Sequence, residues 1–353
     1  MSDQETPKTE PVLTERQQRI TKLLEEGKLE DAHNELVAMI VDEEPVEGMY
    51  HERLVSARLL LGRVTLLLGE PQRAEQVLAP LQGMPEDDPA RPAVHINARN
   101  LVATVCRYQG RMEEAFGLLG ANLDLIDQLQ GPVNPDSFRC IMQMIDVARD
   151  AQQYQQAMEL CGKGIERFQG KVGEAHAHLI LQAGSIFLAG EQYPEARQHI
   201  ENVLEQVREQ TQETNELVIR GEHLLAQLER DEDNEEKARE LWERCLQGLS
   251  QGGDPETIVD VQQQHLLLVI EKMSGEEALQ ALTNLCNLIA QVFGPRSPRL
   301  AEGISLLGYH FRKQGKLADA KAAYTDAVAI LRSWRPAEDP KIAILEGILA
   351  EIG

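Results

Sequence analysis

Apolar residues in this chain fall at three- and four-residue intervals rather than in alternation, as in Leu306, Leu307, Tyr309 and Phe311, a spacing that predicts amphipathic helices. A recurring turn punctuates them. Gly-Lys-Leu-Glu-Asp-Ala at 27–32 returns as Gly-Glu-Pro-Gln-Arg-Ala at 69–74, Gly-Arg-Met-Glu-Glu-Ala at 110–115 and Gly-Lys-Leu-Ala-Asp-Ala at 315–320. Looser copies end at Ala157, Ala196, Ala238 and Ala278. The eight alanines from Ala32 to Ala320 are thus spaced by 42, 41, 42, 39, 42, 40 and 42 residues. A period of this length marks stacked helix pairs.

Each unit reads as helix, tight turn, helix. The glycine leaves the first helix through a left-handed cap that glycine enters cheaply, and acids often follow where a helix N-terminus favours negative charge. Four residues beyond each alanine stands Leu36, Leu78, Leu119, Cys161, Ile200, Trp242, Leu282 or Tyr324, on the same face one turn along. Twelve residues before the alanine, where the paired helix approaches, five copies carry a small residue: Gly62, Ala103, Gly184, Ala226 and Gly308. Ile20, Ile145 and Leu266 hold that position in the others, so those pairs are expected to sit further apart or pack differently.

These residues carry a resemblance to tetratricopeptide repeats. Leu306, Leu307, Gly308, Tyr309 and Phe311, then Gly315, Ala320, Tyr324 and Ala327, match the family's pattern, and the long period is similar to the variant of kinesin light chains and bacterial peptide-receptor regulators. The resemblance implies an all-α fold, a right-handed α–α superhelix of about eight repeats whose first helices line a concave, protein-binding groove. HEAT repeats have a similar period. Residues 13–340 are expected to form the solenoid, 1–12 a disordered tail, and 341–353 a C-terminal capping helix with Ile342, Ile344, Leu345, Ile348 and Leu349 on one side. Longer, Pro-containing connections at 80–94, 129–136, 251–256 and 294–298 join one pair to the next.

Charge narrows the partners. With 58 Asp and Glu against 35 Lys and Arg, the net charge is −23, unsuited to holding a phosphate backbone or an anionic membrane surface. Aromatic residues make up only 4%, which suits helices better than sheets. Neither an apolar run near the start nor a stretch of eighteen apolar residues occurs, so a soluble, cytoplasmic protein without membrane insertion is expected. Cys106, Cys140, Cys161, Cys245 and Cys286 are scattered and odd in number, the pattern of buried free thiols rather than of disulfides or a zinc site.

No phosphate loop, HExxH, GxSxG or dinucleotide fingerprint is present, so a non-enzymatic chain without cofactor or metal is expected. His176 and His178 lie about 200° apart on a helix and do not form a ligand pair. The acids of Asp231 to Glu236 read as a solvated turn. Function then belongs to the inner helices. Eight residues before each alanine run Leu24, Leu66, Arg107, Arg149, Leu188, Arg230, Ile270 and Arg312, and neighbouring inner positions add Arg63, Asn97, Asn100, Arg139, Arg220, Tyr309 and Lys313. Two readings stand: a basic, amide-lined groove gripping the carboxylates and backbone of a protein or peptide ligand, or bridges from these arginines to Asp146, Asp150, Asp231 and Glu271 on adjacent inner helices. Leu59, Leu60, Leu66 and Leu67 offer an apolar docking site or simply core. The function expected is a scaffold or adaptor, with a peptide-responsive regulator or a non-catalytic subunit of an enzyme complex as alternatives.

Overall fold

Each copy of the recurring turn joins two packed helices. A computed structural model of the protein describes residues 14–170, 174–208, 216–250 and 252–352; the tail expected at 1–12 lies outside the described residues. The pairs are α1 (Glu15–Glu25) with α2 (Leu29–Glu47), α3 (Glu52–Leu67) with α4 (Pro71–Leu78), α5 (Arg91–Gln109) with α6 (Met112–Gln130), and α7 (Pro135–Asp150) with α8 (Tyr154–Phe168). They continue as α9 (Ala175–Ala189) with α10 (Tyr193–Arg208), α11 (Glu216–Asp231) with α12 (Glu235–Leu249), α13 (Pro255–Val269) with α14 (Gly275–Phe293), and α15 (Pro298–Lys313) with α16 (Leu317–Trp334). A last helix, α17 (Pro340–Ile352), packs on α16. Among the described residues there is no strand, and the fold is an all-α superhelix.

The repeat positions do what their spacing predicts. All eight alanines are at most 2% exposed, and so are the eight residues four positions beyond them. The small residue on the first helix faces that larger residue: a Cβ added at Gly62 would lie 2.8 Å from Leu78 Cδ2, at Gly184 2.9 Å from Ile200 Cγ1, and at Gly308 3.1 Å from Tyr324 Cε1. In the fourth repeat the sizes are exchanged, with Ile145 and Cys161 both fully buried. The first and seventh repeats, with Ile20 and Leu266, engage least along their helices, in line with the looser packing expected of them.

The turns hold a regularity that the glycine pattern only partly shows. Five residues before the signature alanine, Gly27, Gly69, Gly110 and Gly315 have φ between 69° and 79°. At the same position Gln152, Glu191 and Asp233 adopt φ of 59°, 58° and 62°. The turn is therefore conserved in shape where it is degenerate in sequence, and three side chains carry the strain of the left-handed region. Gln152→Gly and Glu191→Gly should each stabilise the protein by about 1 kcal/mol and Asp233→Gly by less, since Asp tolerates that region better. A rise in thermal midpoint with unchanged far-ultraviolet dichroism checks this. The seventh repeat turns differently, through a 3-10 segment Ile270–Lys272 and a capping box in which Ser274 and Glu277 bond each other's backbone N–H.

Between pairs, three connections end in a cap residue followed by proline: Asn134-Pro135, Asp254-Pro255 and Ser297-Pro298. Each cap side chain accepts an N–H three residues on, and the proline occupies a position with no amide to satisfy. In α17, Ile342 and Leu345 are buried but Ile344 is 62% exposed, so the expected apolar side is narrower: residues 342, 345 and 349 share a face that excludes 344.

The ends of the array meet. Leu66, Ala74 and Val105 belong to one core cluster with residues of α13 to α17. Tyr108 on α5 packs edge-to-face on Trp334 of α16 with ring centroids 5.3 Å apart. The Trp334 indole N–H donates to the Arg296 carbonyl at 2.7 Å, fixing the ring against the α14–α15 loop. Two of the four N-terminal leucines thus find their place here, Leu66 in this cluster and Leu67 against Gly294, while Leu59 and Leu60 pack within the first repeats.

Candidate functional site

The first helices of successive pairs, α5, α7, α9, α11, α13 and α15, carry charged residues that form a chain of cross-helix contacts. Arg107 Nε donates to Asp150 at 2.6 Å and its Nη1 lies 3.8 Å from Asp146, both on the next inner helix. Asp146 also accepts from Arg149 at 3.1 Å and from Gln182 on α9 at 3.0 Å, while Arg149 Nη1 reaches Ser185 at 3.3 Å. Arg220 on α11 lies 3.2 Å from His178 Nδ1 on α9, and Arg230 donates to Gln264 on α13 at 2.5 Å and to Asp231. Further along, Arg299 pairs with Asp260, Lys313 with Glu271, and Arg312 with Glu351 of the capping helix at 3.0 Å. Each of the four arginines of the predicted column therefore has a protein partner.

Charge states follow from these neighbours. Burial works against the Arg107 guanidinium, but Asp146 and Asp150 more than compensate and raise it above its ordinary range. His178 is pushed down to about 4 by burial and by Arg220, so its Nδ1 is an unprotonated acceptor for that guanidinium. His176, its partner in the His-Ala-His sequence, joins no shared site, and among the described residues no cluster of three or more His, Cys, Asp or Glu could hold a metal ion. All five cysteines are free and buried, with burial pushing the Cys140, Cys161 and Cys245 thiols up to about 12 and those of Cys106 and Cys286 up to about 11. No helix among the described residues is long and apolar enough to cross a membrane.

The remaining predicted residues divide in two. Asn97, Asn100 and Arg139 come together in a cleft of about 130 Å³ between α5 and α7, with Gln130, Asp136 and Gln143. Among the described residues Arg139 forms an ion pair only with Asp136, at 3.4 Å and one turn back on its own helix, and its side chain remains 67% exposed. Asn100 Oδ1 accepts from the buried Asn122 at 2.8 Å, which holds the amide in place. Gln143 Oε1 is shielded from solvent yet has no hydrogen-bond partner among the described residues. Sequence reasoning missed Gln143; its spacing of four residues from Arg139 on the same helix was the available signal. Arg63 forms no ion pair among the described residues and is exposed, as is Tyr309, far along the array on α15. Arg63 and Tyr309 do not line that cleft.

No protein-family model and no curated protein sequence matches the chain. Likeness comes from solved structures. The chain is similar to yeast Tom70, at 11% identity over the whole of this chain and 67% of that one, with a TM-score of 0.59. It is similar to a Rap protein solved in complex with competence and sporulation factor, at 10% identity over 96% of each chain and a TM-score of 0.52. Cut9, from the APC/C Cut9–Hcn1 hetero-tetramer, aligns at 11% identity over 95% of this chain and 54% of its own, with a TM-score of 0.50. At such identities the likeness is one of fold. The class it defines, with the repeat geometry above, is the tetratricopeptide-like superhelix.

Proposed function

We propose that the protein is a non-enzymatic, cytoplasmic scaffold or adaptor that holds a peptide or a segment of a partner protein against its inner helices. Residues 13–340 supply the array and 341–353 its cap. The observation that carries this reading is the cleft between α5 and α7, where exposed Arg139 and the amide side chains of Asn97, Asn100 and Gln143 converge. A peptide backbone offers carbonyls to the amide N–H groups, and a ligand carboxylate suits Arg139. Arg63 extends the basic surface towards the N-terminal end.

The arginine column plays a different part in this proposal. Arg107, Arg149, Arg230 and Arg312 are engaged with the protein's own groups and orient successive inner helices, with Lys313, Tyr309 and Arg220 completing the wall. A ligand competes for them only where it displaces Asp146, Asp150 or Glu351. Recognition therefore begins at the amide cleft.

A peptide array carrying acidic and basic sequences tests the proposal. Asn97→Ala with Arg139→Ala should lower binding of the best acidic peptides at least about tenfold, the loss of one charge-assisted and one neutral hydrogen bond, without moving the thermal midpoint. Undiminished binding by the double variant would place the site elsewhere. A second reading, a regulator that changes shape around a peptide, is favoured by the contact between the two ends of the array. The Rap protein of similar fold was solved with a bound factor, and that fits the same reading.

A further inference from the structure

Nine glycines among the described residues have positive φ, and seven of them have open space where a side chain would stand. The two exceptions face each other's end of the chain. A Cβ on Gly69, in the turn after α3, would collide with Arg296 in the α14–α15 loop, and one on Gly294 would lie 2.5 Å from the Leu67 carbonyl oxygen. With the Tyr108–Trp334 pair and the Trp334–Arg296 bond, these contacts form a seam between repeats 2–3 and repeats 7–8.

The seam differs from every other junction in the array. Consecutive helices meet along their lengths and are further joined by the ion pairs and hydrogen bonds of the inner face, whereas α5 and α16 touch over a short stretch. No ion pair crosses it among the described residues. It also lies beside the inner wall that carries Arg107, Arg149 and Ser185: residues of α13 and α15 come close to α5 and α7, Arg299 and Glu256 acting on Tyr108 and Asp146 on Glu256. Junctions of small area within a chain are those expected to open.

We infer that this seam is a gate: an intramolecular contact whose reversible parting admits a partner segment to the inner face. The role of the gate rests on the reading of the inner face as the binding surface, while the gate itself is a property of the chain alone. It is small enough to part without unfolding the helices on either side, because both remain packed in their own repeats.

The test needs no partner. Ser185→Cys places a reactive thiol on the inner wall, and the native cysteines, buried and with raised pKa, are silent towards a polyethylene-glycol maleimide. Gly69→Ala puts a Cβ into the seam against Arg296, and Gly110→Ala, at the same left-handed turn position with open space around it, is its control. Gly69→Ala, but not Gly110→Ala, should speed labelling of residue 185, and Tyr108→Lys should speed it by about tenfold, the order of an edge-to-face aromatic pair. Small-angle scattering of Tyr108→Lys should show expansion with helicity retained. Labelling no faster in Gly69→Ala than in Gly110→Ala would overturn the inference whether or not Tyr108→Lys folds. That outcome leaves the peptide-array result untouched, so the two readings fail separately.

Discussion

Trp242→Ala should lower the stability of the protein by about 4 kcal/mol, the range for a fully buried aromatic truncated in a packed core. Trp242 is 0% exposed and sits four residues beyond the signature Ala238, on the face of α12 that packs against α11. Its indole N–H donates to His223 Nδ1 at 3.1 Å, and the Arg230 guanidinium lies 5.9 Å from the ring centroid. Burial, with Arg220 and Arg230 nearby, pushes His223 down to about 4, so the imidazole is a neutral acceptor at pH 7 and loses its partner when the indole is removed. Trp242→Phe separates the contributions. It keeps most of the packing and should cost only about 1–3 kcal/mol, mostly for the acceptor left unpaired in the core. Urea denaturation of both variants checks the pair; equal losses would mean that the hydrogen bond dominates.

The second large effect is expected at Glu229, a carboxylate 1% exposed at the end of α11. It accepts from Arg197 of α10 at 2.7 Å, from Lys237 of α12 at 2.6 Å and from Asn234 in the turn at 3.0 Å. Burial pushes its carboxyl up, but the two cations more than reverse this and hold it below its ordinary value of 4.5. Its contribution is therefore complete above about pH 4.5 and lost as pH falls through the lower folded-state value. Arg197→Met with Lys237→Met leaves the buried carboxylate with Asn234 but no cation and should cost about 3 kcal/mol at pH 7. With both cations gone, burial is the largest influence left and pushes the carboxyl above its ordinary value, so the penalty should shrink between pH 7 and pH 5. Thermal midpoints of wild type and variant at these two pH values check the prediction: the gap should narrow on acidification, and a constant gap would mean that Glu229 is not desolvated.

These residues also show how far the pattern along the chain reaches. Ala238 and Trp242, like their counterparts in the other repeats, were identifiable because burial on a helix repeats every three to four residues and the pairing geometry repeats every period. The left-handed turns at Gln152, Glu191 and Asp233 were half-visible: their position relative to the alanine is fixed, but the residue type that normally signals such a backbone is missing. The destination of the inner arginines could not be read in the same way. Asp150 lies 43 residues from Arg107, and whether they meet depends on the rotation from one repeat to the next. The Tyr108–Trp334 contact joins the third repeat to the eighth, a separation that carries no periodic signal. The cleft of Asn97, Asn100 and Arg139 was readable as residues but not as a cavity, since Gln143 completes it from the next turn of α7.

An open stack of repeats behaves as a one-dimensional chain, in which stability is a sum of unit and neighbour contributions and the two ends melt first. Joining repeats 2–3 to repeats 7–8 turns that line into a cycle. Every repeat inside the loop then has neighbours on both sides, so melting any one of them breaks two interfaces rather than one. Fraying is confined to the first repeat and to α17, which lie outside the loop. Hydrogen exchange should accordingly show even protection around the cycle, and a variant that parts the seam should regain the graded profile of a linear array.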